Sequence, residues 1–400
     1  MRRSEVVVVG GGMVGACTAA ALARAGVAVD LVEPAPPVPG EGLEVRVSAL
    51  TVASERILAA LGAWERIEPG RRAPFRRIRV WEGDAPGTRF DADATGADRL
   101  GHIVENRAVR LALWQVLQTL PTVRIHAGAG LAGLVVGARE ACLRLTDGTR
   151  LAAPLVVGAD GARSGVRRLA GIATVGWPYR QRTIVGHVTT SRRHRDTAWQ
   201  RFLPTGPVAF LPLADGRCSL AWHNDEGRAE ALMALEEADF LAALEAASGG
   251  VLGEMLAIEG RAAFPLHLRH AVRYHAPRVA LVGDAAHTVH PLAGQGVNLG
   301  LLDAATLAEE VAAAVLAGDD PGEPALLARY ERRRRPHNLA AAAVMDGFKR
   351  CFGNRSPALA WARRAGLALA DRAGPLKTGV MRLAMGLDGP LPALARGGGD

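Results

Sequence analysis

The segment EVVVVGGGMVGACTAAALARAGVAVDLVE occupies residues 5–33. Its four consecutive valines show no polar alternation, which predicts a buried strand of a parallel sheet. The Ala-rich stretch that follows predicts a helix as far as Ala25, which Gly26 then ends. Residues 27–32 predict a second strand, closed by Glu33. This order of strand, helix and strand indicates a βαβ unit, so we expect an α/β fold.

Glycines mark the turn between the first strand and the helix in the spacing GxGxxG. Gly10 permits the tight turn, Gly12 lets a pyrophosphate approach the backbone, and Gly15 lets the helix pack closely on the strand. The helix start supplies partial positive charge, and Glu33 can accept hydrogen bonds from an adenosine ribose. The pattern therefore predicts a dinucleotide site, although FAD and NAD share this device and a plain Gly-rich turn is the alternative.

A second acid ends a second apolar strand. Residues 155–159 predict that strand, and Asp160 follows it directly. Arg163 and Arg167 lie just beyond and can hold the Asp160 carboxylate or a phosphate. The alternative is a simple strand-to-helix turn in which Ser164 caps the helix and the arginines are solvated.

A third acid, Asp284, follows a predicted strand at 279–282, and no Asp, Glu, Lys or Arg then occurs before Asp303. We expect a helix from 297 to about 314, whose free backbone N–H groups at 296–298 can stabilise negative charge on a ring laid against them. An uncharged surround suits a neutral, planar, redox-active ring. The alternative is a Gly-rich loop that serves only as a turn.

Composition restricts the partners. The net charge of +8 and the pI of about 10.1 indicate either acidic partners or an Arg-rich compositional bias. No basic stripe interleaved with aromatics is present, so we expect no nucleic acid. The four cysteines show no metal-ligand spacing, which predicts no metal site and reduced thiols in the cytoplasm. No apolar run is long enough to predict a membrane span.

Three ordered motifs together resemble a known family. The glycine motif with Glu33, the segment GADGARSGVRR (158–168) and the segment GDAAHTVHPLAGQGVNLG (283–300) resemble the flavin-dependent aromatic hydroxylases of the para-hydroxybenzoate hydroxylase type. The resemblance implies FAD as cofactor. It implies that the second motif touches FAD and the nicotinamide donor, and that the third contacts the flavin ribityl chain and ring.

A narrower resemblance covers nearly the whole chain. The segments RVSALTVASERILAALGAWERI (46–67), HIVENRAVRLALWQVL (102–117) and QRFLPTGPVAFLPL (200–213) are similar to the ubiquinone-biosynthesis hydroxylases. That likeness implies hydroxylation of the ring of a polyprenylated phenol. NAD(P)H or another donor would reduce the flavin, dioxygen would add to the reduced flavin as a C4a-hydroperoxide, and the hydroperoxide would transfer a hydroxyl group to the ring. The likeness also places Arg46 against the flavin. Many relatives of the wider class carry a flavin-phosphate Gln near position 107, where this chain has Arg107.

The expected cofactor-binding residues follow from the motifs and the resemblance: Gly10, Gly12, Gly15, Glu33, Arg46, Arg107, Asp160, Asp284, Gly294, Gly296, Val297 and Asn298. No catalytic base is assigned. The candidates are His187, His223, His287, His290 and Tyr179, each of which is more often a structural residue.

The predicted organisation is a Rossmann-type FAD-binding domain with an inserted β-rich substrate domain and a helical C-terminal tail. The FAD-binding domain takes 1–70, 100–175 and 275–330, and the substrate domain takes 71–99 and 176–274, with Ala/Leu helices at 229–258. The tail takes 331–400. Between 347 and 387 it has eight Lys/Arg and one acid, which suits either a surface arm for an anionic membrane or acidic subunit, or a packed helix with solvated arginines.

Other functions stay open at this level. An FAD-dependent hydroxylase of another aromatic substrate would show the same motifs, and so would a flavin- or lipid-binding scaffold of a biosynthetic complex. An amine oxidase would share only the glycine motif, and a flavin halogenase would carry a WxWxIP segment that is absent. We expect a cytoplasmic protein that can associate peripherally with the inner face of the membrane or with a multi-enzyme complex.

Overall fold

The computed structural model describes residues 4–40, 42–83, 87–289, 295–352, 385–387 and 389–396. The helices are α1 Met13–Arg24, α2 Val52–Ala60, α3 Asn106–Thr119, α4 Gly165–Leu169, α5 Glu226–Met233, α6 Glu237–Ser248, α7 Gln295–Ala317 and α8 Pro324–Phe352. The first ten strands are β1 Val6–Val9, β2 Val29–Glu33, β3 Val47–Thr51, β4 Arg72–Phe75, β5 Arg77–Glu82, β6 Thr88–Asp91, β7 Gly101–Glu105, β8 Val123–Ala127, β9 Leu131–Val136 and β10 Ala141–Leu145. The other ten are β11 Arg150–Ala153, β12 Leu155–Gly158, β13 Thr174–Thr190, β14 Thr197–Phe202, β15 Val208–Pro212, β16 Cys218–Asp225, β17 Met255–Ala271, β18 His275–Ala276, β19 Val279–Leu281 and β20 His287–Thr288.

A six-stranded sheet forms the centre of the first layer, in the order β18-β19-β12-β1-β2-β8. The five strands from β19 to β8 pair in parallel. Their apolar residues are buried on both faces, as expected of a parallel sheet covered by helices. The carboxyl ends of these strands therefore share one edge of the sheet, where ligands of such folds bind.

Glycines within α1 and α7 let each helix approach its neighbours closely. A Cβ on Gly15 would lie 1.8 Å from the Gly10 carbonyl oxygen, and one on Gly300 would lie 2.5 Å from a methyl of Val14. A larger residue at either position would force its neighbours to shift. The close approach seats the start of both helices beside the first strand-to-helix turn.

An eight-stranded sheet, β20-β17-β13-β16-β15-β14-β5-β6, forms the second layer. One face carries Ile184, Leu220 and Phe210, which pack with α5 and α6 in an apolar cluster. The opposite face carries Leu211 and Leu213, which pack with residues of β3 and β7. The second face is therefore turned toward β3 and β7, which belong to a separate three-stranded sheet, β3-β7-β4.

The predicted fold class and several predicted helix ends are confirmed. The α/β fold is present, α1 ends beside Gly26 with φ +90, and Ser164 caps α4. The prediction of helix as far as residue 258 is wrong, because α6 ends at Ser248 and β17 begins at Met255. The reason is that Met255 and Ile258 complete the apolar cluster on the sheet.

The predicted tail is helical through α8, while residues 353–384 lie outside the described part. The proposed domain boundaries stay a prediction. Among the described residues, none of the helices combines the length and apolar content that crossing a bilayer requires.

Candidate functional site

Three of the sequence motifs meet at the carboxyl edge of the six-stranded sheet. Gly10 follows β1, Asp160 lies two residues after β12, and Asp284 lies three residues after β19. Since β19, β12, β1 and β2 are neighbours in that order, Asp284, Asp160, Gly10 and Glu33 line up across one edge. Residues distant in sequence thus form a single row.

The glycine turn leaves space for a ligand at one position. Gly10 has φ +104, and a Cβ there would meet the Ala159 carbonyl at 2.5 Å, so this position needs glycine for the turn itself. At Gly12 an added Cβ would meet nothing within 4 Å. The open space lies at the N-terminus of α1, where N–H groups lack intrahelical acceptors. The arrangement suits a phosphate.

Glu33 closes the turn from the side. It is buried, and its carboxylate accepts hydrogen bonds from the backbone N–H groups of Gly11 and Ala35. Trp114 donates its indole N–H to the Gly11 carbonyl at 2.9 Å. Glu33 therefore shapes the glycine turn, a role the sequence analysis did not predict, and its remaining lone pairs leave room for a ribose hydroxyl.

One carboxylate oxygen of Asp160 accepts hydrogen bonds from the protein and the other does not. Its Oδ2 accepts from the backbone N–H groups of Gly165 at 2.7 Å and Val166 at 3.1 Å, at the start of α4. Its Oδ1 is buried and has no hydrogen-bond partner in the described part of the chain. A buried carboxylate oxygen left unpaired costs free energy, so a bound donor would stabilise this site.

Arg167 hydrogen-bonds to two backbone carbonyls and not to Asp160, so that part of its prediction is wrong, and its contact with a phosphate stays a prediction. Arg167 is 8% exposed and donates to the carbonyls of Ala285 at 2.7 Å and Ala162 at 2.9 Å. Arg163 is exposed. Arg167 thus ties the second motif to the third, because a buried guanidinium must satisfy its donors on nearby carbonyls.

Asp284 projects from a single 3-10 turn, Gly283–Ala285, and its side chain is accessible to solvent. Surrounding protein atoms still desolvate it, which raises the pKa of its carboxyl, while His287 and Arg46 partly oppose that rise. Arg46 is exposed and its guanidinium lies 5.5 Å from the ring centre of Phe264, on β17. The structure thus brings Arg46 and Asp284 to the same space between the two layers.

Helix α7 begins at Gln295, two residues before the predicted start. Residues 295–298 therefore present the first four N–H groups, with Gly296 and Val297 among them, and a Cβ on Gly296 would have one neighbour, at 4.0 Å. Gly294 and His290 lie outside the described residues. The Asn298 side chain is buried and binds β3 and α2 through Thr51 N at 3.0 Å and Ser54 Oγ at 2.7 Å.

Arg107 is directed to a loop of the protein. Its guanidinium donates to the Gly42 carbonyl at 2.7 Å, and its backbone N–H donates to the Glu44 carboxylate. A Cβ on Gly40 would meet the same guanidinium at 2.3 Å. Arg107 therefore holds the loop that leads to Arg46, and its expected phosphate contact stays a prediction.

The candidate bases lie in different places. His187 is 3% exposed, burial lowers its pKa, and its Nε2 has no partner among the described residues. His223 shares a hydrogen bond of 2.6 Å with the hydroxyl of Thr183, and Tyr179 donates to Asp346 at 3.2 Å. His287 is fully buried beneath the Asp284 turn. None of these contacts assigns a base.

Sequence reasoning missed a buried polar cluster beneath this turn. Asp303, with no exposed surface, binds His287, Arg334 and Asn338. Arg334 belongs to the run RRRR at 332–335, and nothing in that run indicates which of its arginines is buried. The one available signal was Asp303 itself, the first acid after the uncharged stretch.

The comparisons with known proteins agree with this geometry. A family model described as FAD binding domain matches residues 3–346. The 3-demethoxyubiquinol 3-hydroxylase of Escherichia coli (strain K12) is 40% identical over 387 residues, covering 96% of this chain and 99% of that protein. The ubiquinone hydroxylase UbiL of Rhodospirillum rubrum is 42% identical over 399 residues, covering 98% of this chain and 93% of that protein.

The chain belongs to the FAD-dependent hydroxylases of ubiquinone biosynthesis. Solved structures agree with this hydroxylase in fold. That of PqsL from Pseudomonas aeruginosa, titled a probable FAD-dependent monooxygenase, is 25% identical, with a TM-score of 0.77 and coverage of 92% of this chain and 99% of that one. That of p-nitrophenol 4-monooxygenase PnpA from Pseudomonas putida is 23% identical, with a TM-score of 0.80 and coverage of 97% and 98%, and speaks for the fold alone.

The residues of this hydroxylase fit FAD. The space at Gly12 admits a phosphate, the unpaired Asp160 Oδ1 offers an acceptor, and Asp284 is a solvent-accessible carboxylate at the same edge. The amine oxidase and halogenase alternatives receive no support from the hydroxylase relatives.

Proposed function

We propose that this hydroxylase adds a hydroxyl group to the ring of a polyprenylated phenol, with FAD held along the carboxyl edge of the six-stranded sheet and NAD(P)H as reductant. The observation that carries the proposal is the row of Asp284, Asp160, Gly10 and Glu33 on neighbouring strands. When bound, FAD supplies the activation of dioxygen. The activities for which these relatives are named support a ubiquinone precursor as substrate.

The protein's own groups would bind and orient. Backbone N–H groups at the start of α1, beside Gly12, would hold the pyrophosphate, and Glu33 would accept from the ribose. Asp160 and Asp284 would accept from hydroxyls of the cofactor. The first N–H groups of α7 would stabilise negative charge on the ring.

The second layer would exclude water and form the substrate site. The face of the eight-stranded sheet that carries Leu211 and Leu213 is turned toward β3 and β7. Phe264 is 41% exposed on the same sheet, beside Arg46. A large apolar ring with an adjacent cation suits an aromatic substrate, and a dry site protects reactive intermediates.

The reaction is tested with purified protein, FAD, NAD(P)H, ¹⁸O-labelled dioxygen and a short-chain prenylated phenol. We expect one labelled oxygen in the product by mass spectrometry. Asp284→Asn should lower kcat/KM at least about tenfold, because the substitution removes a charged hydrogen-bond acceptor from the cofactor site. The matched control is Asp239→Asn on the exposed face of α6, which should behave as wild type.

Two outcomes would contradict this proposal. Equal turnover of the phenol without its prenyl chain would favour the alternative of another aromatic substrate. Stable FAD binding with no reduction by any donor and no labelled product would favour the scaffold alternative.

The proposal extends to location. A cytoplasmic hydroxylase with a prenylated substrate must meet it at a bilayer or receive it from a partner enzyme. The basic composition would favour an anionic surface. We expect co-sedimentation with anionic vesicles that is lost at high salt, and no binding to neutral vesicles; equal binding to both would argue against an electrostatic association.

A further inference from the structure

The turn that carries Asp284 is held at both of its ends by one buried carboxylate. Asp303 Oδ2 accepts from the backbone N–H of Gly283 at 3.2 Å and from the Nε2 of His287 at 2.5 Å. Asp284 lies between these two anchor points and is the exposed side chain of the turn. Asp303 therefore fixes the position of a segment it does not itself belong to.

The other oxygen of Asp303 is held from α8. Arg334 Nε donates to Oδ1 at 2.8 Å, and Asn338 Nδ2 donates to the same atom at 2.9 Å. With two donors on each oxygen, the carboxylate is fully satisfied. Burial alone would raise the pKa of Asp303, but His287 and Arg334 outweigh it and hold that pKa well below its usual range.

The donors from α8 are themselves fixed. Arg334 also donates to the Asn338 side-chain oxygen at 2.9 Å, and Asn338 donates to the Tyr274 hydroxyl at 3.3 Å. Arg334 is 5% exposed and Asn338 is 0% exposed. The turn receives further support from β17, where Ala271 N donates to the Ala286 carbonyl at 2.7 Å.

His287 has one committed nitrogen and one free nitrogen. Its Nε2 contacts the Asp303 carboxylate, so Nε2 carries the proton that is donated. Its Nδ1 is buried and has no hydrogen-bond partner in the described part of the protein. The ring thus acts as a spacer of fixed orientation between Asp303 and the end of the turn.

From this geometry we propose that Asp303, with Arg334 and Asn338 of α8, is a positioning unit for Asp284 and hence for the flavin. The unit touches neither the cofactor nor the substrate and acts through the turn 283–287. Because Arg334 and Asn338 lie on α8 and Asp303 lies on α7, the position of α8 along α7 would affect cofactor binding. The inference rests on the FAD site of the proposed function, but on no particular substrate.

The first test is the dissociation constant of FAD, measured by flavin fluorescence on the full-length protein. Asp303→Asn and Asn338→Leu should raise it at least about tenfold, the scale known for outer partners that orient the groups of a binding site. The visible circular dichroism of the flavin that still binds should change, because Asp284 would no longer hold one orientation.

The control separates positioning from loss of stability. Tyr330 also lies on α8, is fully buried, and donates its hydroxyl hydrogen bond to the Leu281 carbonyl at 2.8 Å, not to Asp303. Tyr330→Phe should lower the Tm of the apoprotein by a similar amount and leave the FAD constant within about twofold. If FAD affinity falls in parallel with Tm in all variants, Tyr330→Phe included, the proposal is overturned.

If the Asp303→Asn variant does not fold, two substitutions of His287 provide a second test. His287→Gln keeps an N–H donor within reach of Asp303, whereas His287→Leu removes it. We expect His287→Gln to retain most of the FAD affinity and visible dichroism that His287→Leu loses; equal loss in both would refute the unit. Wild-type protein that binds FAD but hydroxylates no prenylated phenol would refute the proposed reaction and leave this test in force.

Discussion

Glycine at positions 12 and 15 meets two different physical demands within one turn. At Gly15 a Cβ would overlap the Gly10 carbonyl at 1.8 Å, so the fold itself needs this glycine. At Gly12, where φ is −68, a Cβ would enter empty space, so the fold has no such need. Only a ligand that fills that space requires glycine at position 12.

The substitution Gly12→Ala should therefore separate folding from binding. We expect the apoprotein to keep its Tm within about 2 °C, since one surface substitution changes stability by about 0.5 kcal/mol or less. The FAD dissociation constant should rise at least about tenfold because the methyl occupies the phosphate space. Differential scanning fluorimetry and FAD titration measure the two effects.

The companion substitution is Gly15→Ala. It should lower the Tm of the apoprotein sharply, since α1 would be pushed off β1. An unchanged FAD constant in Gly12→Ala would show that no phosphate lies there.

Single arginines also illustrate how much a residue's role depends on its surroundings. Arg167 is predicted either to hold Asp160 or a phosphate or to be solvated, and Arg334 lies in a run of four arginines. Both are buried, Arg167 on two carbonyls and Arg334 on Asp303. Ala285, one of the two carbonyl partners of Arg167, lies 118 positions away in the chain, and Asp303 lies 31 positions from Arg334, beyond any local pattern.

At the scale of elements, the short helix α4 organises Asp160. Ser164 caps α4 by accepting from Arg167 N at 2.9 Å, and the first N–H groups of that helix hold Asp160. The sequence predicted this cap correctly, because Ser before a helical run satisfies an otherwise unpaired N–H. The orientation of Asp160 is thus a property of the whole element.

Ser164→Ala should consequently weaken cofactor binding at a distance. We expect a loss of about 1 kcal/mol in the free energy of unfolding, typical of a missing cap, and a several-fold rise in the FAD constant. Urea unfolding and FAD titration are the measurements.

A matched change is Ser248→Ala at the end of α6, which removes a hydrogen bond of 3.1 Å from Gly250 N. It should cost similar stability with no effect on FAD. Equal effects of both changes on FAD would mean that α4 has no special part in the site.

At the scale of the molecule, buried and half-buried histidines make stability depend on pH. Burial lowers the pKa of His187, His194, His270 and His275 below the usual value for histidine. Between the folded and unfolded pKa values the unfolded chain binds more protons, so the free energy of unfolding rises with pH there. Above about pH 6.5 these histidines are neutral in both states and cost no stability. As the pH falls below that value, the free energy of unfolding decreases.

We therefore expect the Tm of the apoprotein to fall steadily from pH 7.5 to pH 5.5. Asp284, whose pKa is raised, has the opposite effect on the free energy of unfolding. That effect begins at a lower pH, near the ordinary aspartate pKa of about 3.9. His194→Gln should flatten the slope, because the amide can replace the bond to the Leu213 carbonyl without titrating. A Tm that is constant or rises toward pH 5.5 would contradict this expectation.

The sequence by itself determined the βαβ unit, the strand-ending acids and the family. Glycine spacing, apolar runs and helix caps depend on residues that are close in sequence, so the sequence alone predicts them. The convergence of Asp160 and Asp284 could be anticipated because parallel strands end at one edge.

Only the tertiary structure decided which charges are buried and what they bind. Glu33 braces the glycine turn, Arg107 holds a loop, and Asn298 ties α7 to β3. Asp303 became the anchor of the Asp284 turn only when α7 and α8 packed together. A buried charge takes its role from partners that arrive from distant parts of the chain, and the fold alone supplies them.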